Sequence, residues 1–476
     1  MFDTIEVPVW LFCLVLLFAA VTAASHLFIP PVRWFLRRRM ERVVAQVNTR
    51  LDRPIQPFKL ARRHDTILRL TYDPGVIDAV IAHARETGVR EDVAFSRARG
   101  YAREIVPAFS ASAYFGIAIR FARWLSTRLF HVRLVRVDEQ ALAGIDPEAT
   151  VVFVMNHRSN MDYVLVTYLA AQRSALSYAV GEWARIWPMS GLLRGMGAYF
   201  IRRRSRNGLY RRVLARYVQM AIEGGVTQAI FPEGGLSLDG RVGPARLGLL
   251  SYISAGHAAA DRDVVFVPVS LSYDKVLEDN ILIDAGLTGK RQFRGSFLTG
   301  TAFALRWFWR RVTGRVRRFG YAAVVFGTPL SLSAFQESHG SDVEQLGDKL
   351  MSEIRANVPI LPVAMVADAV VSGAITRAGI VEHVQKLIQR LDNMGAPYHL
   401  RRGSLTDSVD SGLNLLKLRH VVSENAEGDL VPAPKAENLL RYYAAAVQDV
   451  TMARSSMITP EQRQDISETT APGLKS

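Results

Sequence analysis

Cysteine is nearly absent from this chain. Cys13 is the only one in 476 residues, so no intrachain disulfide and no multi-thiolate metal site can form. It lies in an apolar N-terminal run, far from any candidate chemistry, and nothing points to redox work. Acidic residues are also scarce, with 44 Asp and Glu against 59 Lys and Arg, which leaves a formal charge of +15. Such a balance suits nucleic acid, an anionic membrane face, or acidic substrates and carriers. A nucleic-acid partner is disfavoured, because neither aromatic RNP-type strands nor a helix-turn-helix can be found. No internal repeat is present.

Charge is wholly missing from Val7 through Ile29, which is almost entirely apolar. Roughly 23 residues at about 1.5 Å rise give about 34 Å, enough to cross a bilayer's hydrocarbon core. Asp3 and Glu6 precede the run, and Arg33, Arg37, Arg38, Arg39 and Arg42 follow it. A secretory signal would have a basic start and a shorter apolar core. The expectation is a single-pass anchor in the cytoplasmic (inner) membrane, residues 1–30, with the bulk of the chain in the cytoplasm. A buried or re-entrant segment is the alternative.

Residues 31–130 read as helical, with a break at Tyr72-Asp73-Pro74-Gly75 and no catalytic signature. Phe109 to Leu129 mixes apolar residues with Arg120, Arg123 and Arg128, a pattern that fits either an interfacial helix or a core helix with solvated arginines. From 131 to 330 strand-like and helical segments alternate. Strands are expected at Val132–Val137, Thr150–Met155, Ser177–Val180, Ala198–Ile201, Thr227–Phe231, Val264–Leu271 and Ala322–Phe326. This predicts an α/β domain with a mixed, largely parallel sheet flanked by helices. Residues 331–454 read as helical again, for example over Asp342–Ala356 and Gly379–Leu391, and the polar end, 455–476, as a disordered tail. Phe293 to Phe319 interleaves Phe297, Leu298, Phe303, Leu305, Trp307, Phe308 and Trp309 with arginines, as a lipid-contacting helix would.

Four blocks inside the α/β region carry chemistry. In the first, Asn156-His157-Arg158-Ser159-Asn160-Met161-Asp162 follows a buried strand. Ser159 or Asn160 can cap a helix from Met161, which places His157 in the loop and Asp162 in the first turn, favoured there by the helix dipole. The carboxylate can then hold one imidazole nitrogen while the other faces a substrate hydroxyl, although such spacing also fits a purely structural pair. The second block, Gly197 to Arg204, ends a strand in arginines whose forks match phosphate oxygens, or which are simply solvated. The third, Phe231-Pro232-Glu233-Gly234-Gly235-Leu236-Ser237, is a loop whose backbone can approach a ligand closely, or a surface turn. In the fourth, Pro268 interrupts an apolar strand and would bend it or mark an edge.

In this order the blocks resemble the His-x4-Asp glycerophospholipid acyltransferase superfamily, above all its bacterial membrane-bound glycerol-3-phosphate acyltransferases. The matching residues are His157, Arg158, Ser159 and Asp162; Gly197, Phe200, Ile201, Arg202 and Arg203; Glu233, Gly234, Gly235 and Ser237; and Val267, Pro268 and Val269. The chain departs from the family at Leu236 and Leu238, where arginines are usual. Arg241 and Arg246 stand close by in sequence.

The resemblance implies acyl transfer from acyl-coenzyme A or acyl-acyl carrier protein to glycerol 3-phosphate. The alternative acceptor, second to glycerol 3-phosphate, is 1-acyl-glycerol 3-phosphate, which would give phosphatidate. His157 would be the base and Asp162 its orienting partner, with Glu233 and Gly234 completing the catalytic set. Arg158, Ser159, Arg202, Arg203, Gly235, Ser237 and Arg241 would bind substrate. No metal or tightly held cofactor is implied, and anionic membrane lipids are the expected surroundings.

Overall fold

The computed structural model describes residues 8–11, 13–18, 38, 42, 44–170, 174–181, 189–202, 205, 207–258, 260–289, 318–434 and 436–457. Its centre is a sheet of strands β1 (His131–Arg136), β2 (Thr150–Met155), β3 (Ser177–Gly181), β4 (Tyr199–Ile201), β5 (Gln228–Ile230), β6 (Val264–Tyr273), β7 (Tyr321–Phe326) and β8 (Leu330–Ser331). They lie in the order β1-β7-β6-β2-β5-β3-β4, with β8 also on β6. From β6 through β4 every neighbour is parallel, whereas β7 and β8 run antiparallel to β6 and β1 runs parallel to β7. The sheet is therefore mixed and mostly parallel, as expected. β2, β6 and β7 are buried at every position, because strands covered on both faces need apolar side chains on both.

All seven expected strands form. The two-residue β8 and a separate antiparallel hairpin, β9 (Val422–Glu424) with β10 (Leu430–Pro432), are additions. Pro268 does not mark an edge. It sits inside β6, opposite Val154, and its carbonyl accepts the Gly327 N–H at 2.8 Å on the β7 side. On that side the partner of β6 changes from β8 at 265–266 to β7 at 269–273. The missing proline N–H thus falls in the gap between two partner strands, where no ladder bond is lost.

Helices Pro74–Thr87, Glu91–Ile105, Gly208–Glu223 and Gly248–His257 pack together beside the sheet. The C-terminal region wraps around Pro362–Val371, a helix apolar on nearly every side and buried among Arg377–Asn393, Leu405–Leu418 and Glu437–Met457. Asp274, just past β6, joins the two regions by accepting N–H bonds from Val363 at 2.9 Å and Tyr321 at 2.7 Å. Burial pushes its carboxyl up to about 7, against the pull of those two bonds.

One boundary shifts, and two expected segments fall largely outside the described residues. Among the described residues no helix is long and apolar enough to cross a membrane, and most of the Val7–Ile29 run lies outside those residues. Residues 293–317 of the aromatic-arginine segment also lie outside them. The last helix continues to Met457, past the expected start of the tail at Ser455. Hydroxyls of Ser455 and Ser456 bond back to carbonyls of Thr451 and Ala453 and hold that last turn.

Candidate active site

The register between β2 and β5 builds the site. Val154 stands opposite Ile230 on parallel strands, so His157 and Glu233, three residues beyond each, leave the same sheet edge side by side. The His157 N–H donates to Glu233 Oε1 at 2.8 Å, and the Gly243 N–H donates to Oε2 at 3.2 Å. Ser237 N–H returns the tie by donating to the His157 carbonyl at 2.9 Å. Glu233 therefore clamps its own loop to the histidine. Burial pushes its carboxyl up to about 7, with the two backbone bonds and the Arg158 charge opposing the rise. On the other flank Asn156 extends the β2 ladder with its side chain, donating to the Leu271 carbonyl at 3.0 Å and accepting its N–H at 2.7 Å.

Asp162 lies in the first turn of helix Met161–Leu169, where the helix dipole favours a carboxylate. It is fully buried and saturated with donors. Its Oδ2 faces His157 Nδ1 at 2.9 Å and accepts the N–H groups of Arg158 at 2.8 Å and Ser159 at 3.0 Å. Its Oδ1 accepts the Tyr273 hydroxyl at 2.8 Å. A carboxylate accepts but cannot donate, so Nδ1 carries the proton of the His157–Asp162 bond and Nε2 keeps its lone pair. The imidazole stacks on Phe231 at 4.2 Å and meets the edge of Tyr163 at 5.5 Å, which fixes its plane. The arrangement can take a proton at Nε2 and stabilise the resulting imidazolium at Nδ1.

Around this pair, Ser159 Oγ accepts the Met161 N–H at 3.1 Å and donates to Glu278 at 2.8 Å. Asn160 donates to Glu278 through its backbone and its side chain, and burial raises the Glu278 carboxyl above its ordinary range. Arg158 donates through Nη1 to the Gly240 carbonyl. Ser237 folds the loop inward by donating to the Arg241 carbonyl at 2.7 Å and accepting the Gly240 N–H at 3.1 Å. Gly234 holds a φ of +68°, which glycine adopts freely. Gly235, beside it, is buried.

The expected phosphate ligands scatter. Arg202 closes β4, three strands from β2 or about 14 Å at ordinary strand spacing. It forms a two-pronged bond to Glu104, at 2.9 and 2.7 Å, above the rings of Tyr101 and Tyr210. Arg203 lies outside the described residues. Arg241 turns to the last helix, reaching Gln448 at 2.7 Å and Asp449 at 3.6 Å. Leu236 and Leu238, at the family's arginine positions, pack on the core. Arg246 stays by the loop, its Nε on the Glu233 carbonyl at 3.2 Å. Sequence reasoning overlooked Tyr273, Glu278 and Asp449. Asp449 accepts the Val242 N–H at 2.8 Å and so ties the last helix to the Glu233 loop.

Residues 133–272, which hold His157, Asp162 and Glu233, match the family model described as Acyltransferase. Over this stretch the chain is similar to the acyltransferase family. Residues 305–459 match a second model, the glycerol-3-phosphate acyltransferase C-terminal region. A protein named glycerol-3-phosphate acyltransferase from Aeromonas hydrophila is 27% identical over 414 residues, covering 81% of this chain and 49% of its own. One of the same name from Shewanella amazonensis is 29% identical over 394 residues, covering 79% and 45%. The chain spans about half the length of the curated relatives it matches. A solved 1-acyl-sn-glycerophosphate acyltransferase from Thermotoga maritima aligns at 19% identity and TM-score 0.32, over 51% of this chain and 80% of its own. That score lies below the level at which a shared fold follows. Among the described residues no group of His, Cys, Asp and Glu could hold a metal ion.

Proposed function

We propose that the chain transfers an acyl group from an acyl thioester to the 1-hydroxyl of glycerol 3-phosphate, yielding lysophosphatidate, the first step of phospholipid synthesis. The observation that carries this reading is the His157–Asp162 pair, whose carboxylate is held by three further donors. An alcohol is a poor nucleophile, and a positioned base lets its proton leave as the carbonyl is attacked. His157 Nε2 takes the hydroxyl proton while the acceptor oxygen bonds to the thioester carbon. The C–S bond then breaks, and the leaving thiolate receives that proton. No acyl-enzyme is needed, because the acceptor supplies the nucleophile. Asp162 compensates the imidazolium, and Tyr273 and the two N–H groups hold Asp162 in place. Names of the relatives and the C-terminal match support glycerol 3-phosphate as acceptor.

The donor in this reading is acyl-coenzyme A or acyl-acyl carrier protein, whose negative charge suits a chain of formal charge +15. Arg202 and Arg203 stay candidates for substrate phosphate only if Arg202 shares or leaves Glu104.

A membrane setting, with Val7–Ile29 as anchor and anionic lipids as neighbours, belongs to the same proposal. It draws support from the helical stretch Ser112–Leu129, which exposes Ile117, Phe121 and Trp124, spaced by four and three residues, beside exposed Arg120, Arg123 and Arg128.

Purified protein given an acyl thioester and either labelled glycerol 3-phosphate or lysophosphatidate tests the assignment. Preferred acylation of glycerol 3-phosphate is expected. Turnover of lysophosphatidate alone would move the protein one step later, to phosphatidate formation.

A further inference from the structure

Buried polar groups in folded proteins are almost always hydrogen-bonded, so an exception calls for a ligand, ion or water. Two exceptions, one on the residue after His157, belong to side chains whose residues both adjoin Gly240. Arg158 is 5% exposed, and its Nε and Nη2 have no hydrogen-bond partner, although its Nη1 is held by the Gly240 carbonyl. Tyr442, on the last helix, is 2% exposed and its hydroxyl is likewise without a partner.

Gly240 lies between them. Its φ is +81°, and a Cβ there would strike the Tyr442 carbonyl, so only glycine lets the loop and helix approach this closely. The Tyr442 phenol is near enough to Arg158 for the guanidinium to pull its pKa down, although burial, the larger effect, raises it. Asp162, Glu278 and Asp279 also face this phenol. Asp162 is bonded on both oxygens, Glu278 is tied to Ser159 and Asn160, and Asp279 is taken by Arg419 and Tyr443. None of the three therefore satisfies Arg158.

The vacant Nε and Nη2 form the side-on fork of a guanidinium, which matches two oxygens of a phosphate. The other arginines that sequence favoured for that task and that the structure describes, Arg202 and Arg241, already hold carboxylates. We infer that Arg158 and Tyr442 together bind the phosphate of the acceptor, so that the C-terminal region completes the acceptor site. Resting on the acyl-transfer reading, this assigns the phosphate to residues from two distant parts of the chain and explains how the loop dispenses with arginine at Leu236 and Leu238.

Tyr442→Phe is a clean probe, because it removes an oxygen that the unliganded fold does not use. Its thermal midpoint should not fall, while the KM and the calorimetric Kd for glycerol 3-phosphate should rise about 10-fold or more, the usual effect of losing a charge-assisted hydrogen bond. Arg158→Lys keeps the charge but loses the fork, and should weaken acceptor binding by about 10- to 100-fold with the donor KM unchanged. Glycerol, which has no phosphate, should be acylated equally poorly by wild type and variants. If wild type turns over glycerol 3-phosphate and Tyr442→Phe binds it within twofold of wild type, the orphaned hydroxyl holds only water and the inference fails. A lowered midpoint with both substrate constants worsened would mean a structural role and overturn it as well. Wild type that binds glycerol 3-phosphate through these two residues without transferring acyl groups would sink the functional reading and leave the site standing. No binding by wild type would end both.

Discussion

Replacing Asp162 by asparagine isolates the charge of the catalytic pair. Asparagine keeps one oxygen, and only one placement suits the site. With the oxygen at the Oδ2 position it still accepts from Arg158, Ser159 and His157, and its NH2 faces the Tyr273 hydroxyl, which can turn and accept. The opposite placement would aim NH2 at two backbone N–H groups and leave both unpaired at roughly 1–3 kcal/mol each. The fold should therefore survive, with the imidazole still in its plane against Phe231. What disappears is the negative charge 2.9 Å from the forming imidazolium. At an effective dielectric near 20, a unit pair at that distance is worth about 6 kcal/mol, of which the amide dipole restores a part. A loss of about 3–5 kcal/mol in the transition state corresponds to roughly 10²- to 10⁴-fold in kcat. Acyl transfer at saturating donor and acceptor, with a thermal melt on the same sample, reads both quantities. A folded Asp162→Asn protein with kcat within threefold of wild type would refute the charge argument.

The other expectations are briefer. Gly240→Ala should cost about 2–4 kcal/mol, since the methyl meets the Tyr442 carbonyl at a positive φ, and denaturant titration should show a lower midpoint with the last helix loosened. Because the Glu233 carboxyl sits at about 7 in the fold against an ordinary 4.5, its protonated form contributes stability that is complete below pH 4.5 and is lost as pH rises through about 7. Wild type should then lose about 3 kcal/mol more than Glu233→Gln between pH 4.5 and 8 in urea unfolding, and parallel profiles would contradict this. Arg202→Ala should lower stability by about 1.5–3 kcal/mol through its two bonds to Glu104 and leave the acceptor KM nearly unchanged; a raised acceptor KM with intact stability would return Arg202 to the phosphate.

The parts legible in the sequence were those written in local pattern. Thr150–Met155 declares itself as a buried strand by unbroken β-branched and apolar residues and Val264–Leu271 by a similar run broken only at Pro268 and Ser270, and the His157–Asp162 pairing follows from a strand, a loop and a helix cap within a dozen positions. Parallel register then brings Glu233 to His157 without any local signal that the two would touch. Tyr273 stayed hidden because its role depends on β6 running two residues past Leu271 to reach Asp162, 111 positions earlier. The alternation Leu271-Ser272-Tyr273 was the available clue to that extension. Arg202, just past β4, looked like a free cation because its partner Glu104 lies 98 residues away on the helix Glu91–Ile105. For the same reason Asp449 and Tyr442 read as ordinary helical residues until the last helix was seen against the Glu233 loop.

The central claim is that His157 removes the acceptor's hydroxyl proton during acyl transfer to a phosphorylated glycerol. The most direct measurement is the formation of labelled lysophosphatidate from labelled glycerol 3-phosphate and an acyl thioester, by wild type and by His157→Ala, in vesicles. Wild type should form product, and His157→Ala, folded by circular dichroism, should form none above background. A folded His157→Ala protein that matches the wild-type rate would contradict the account.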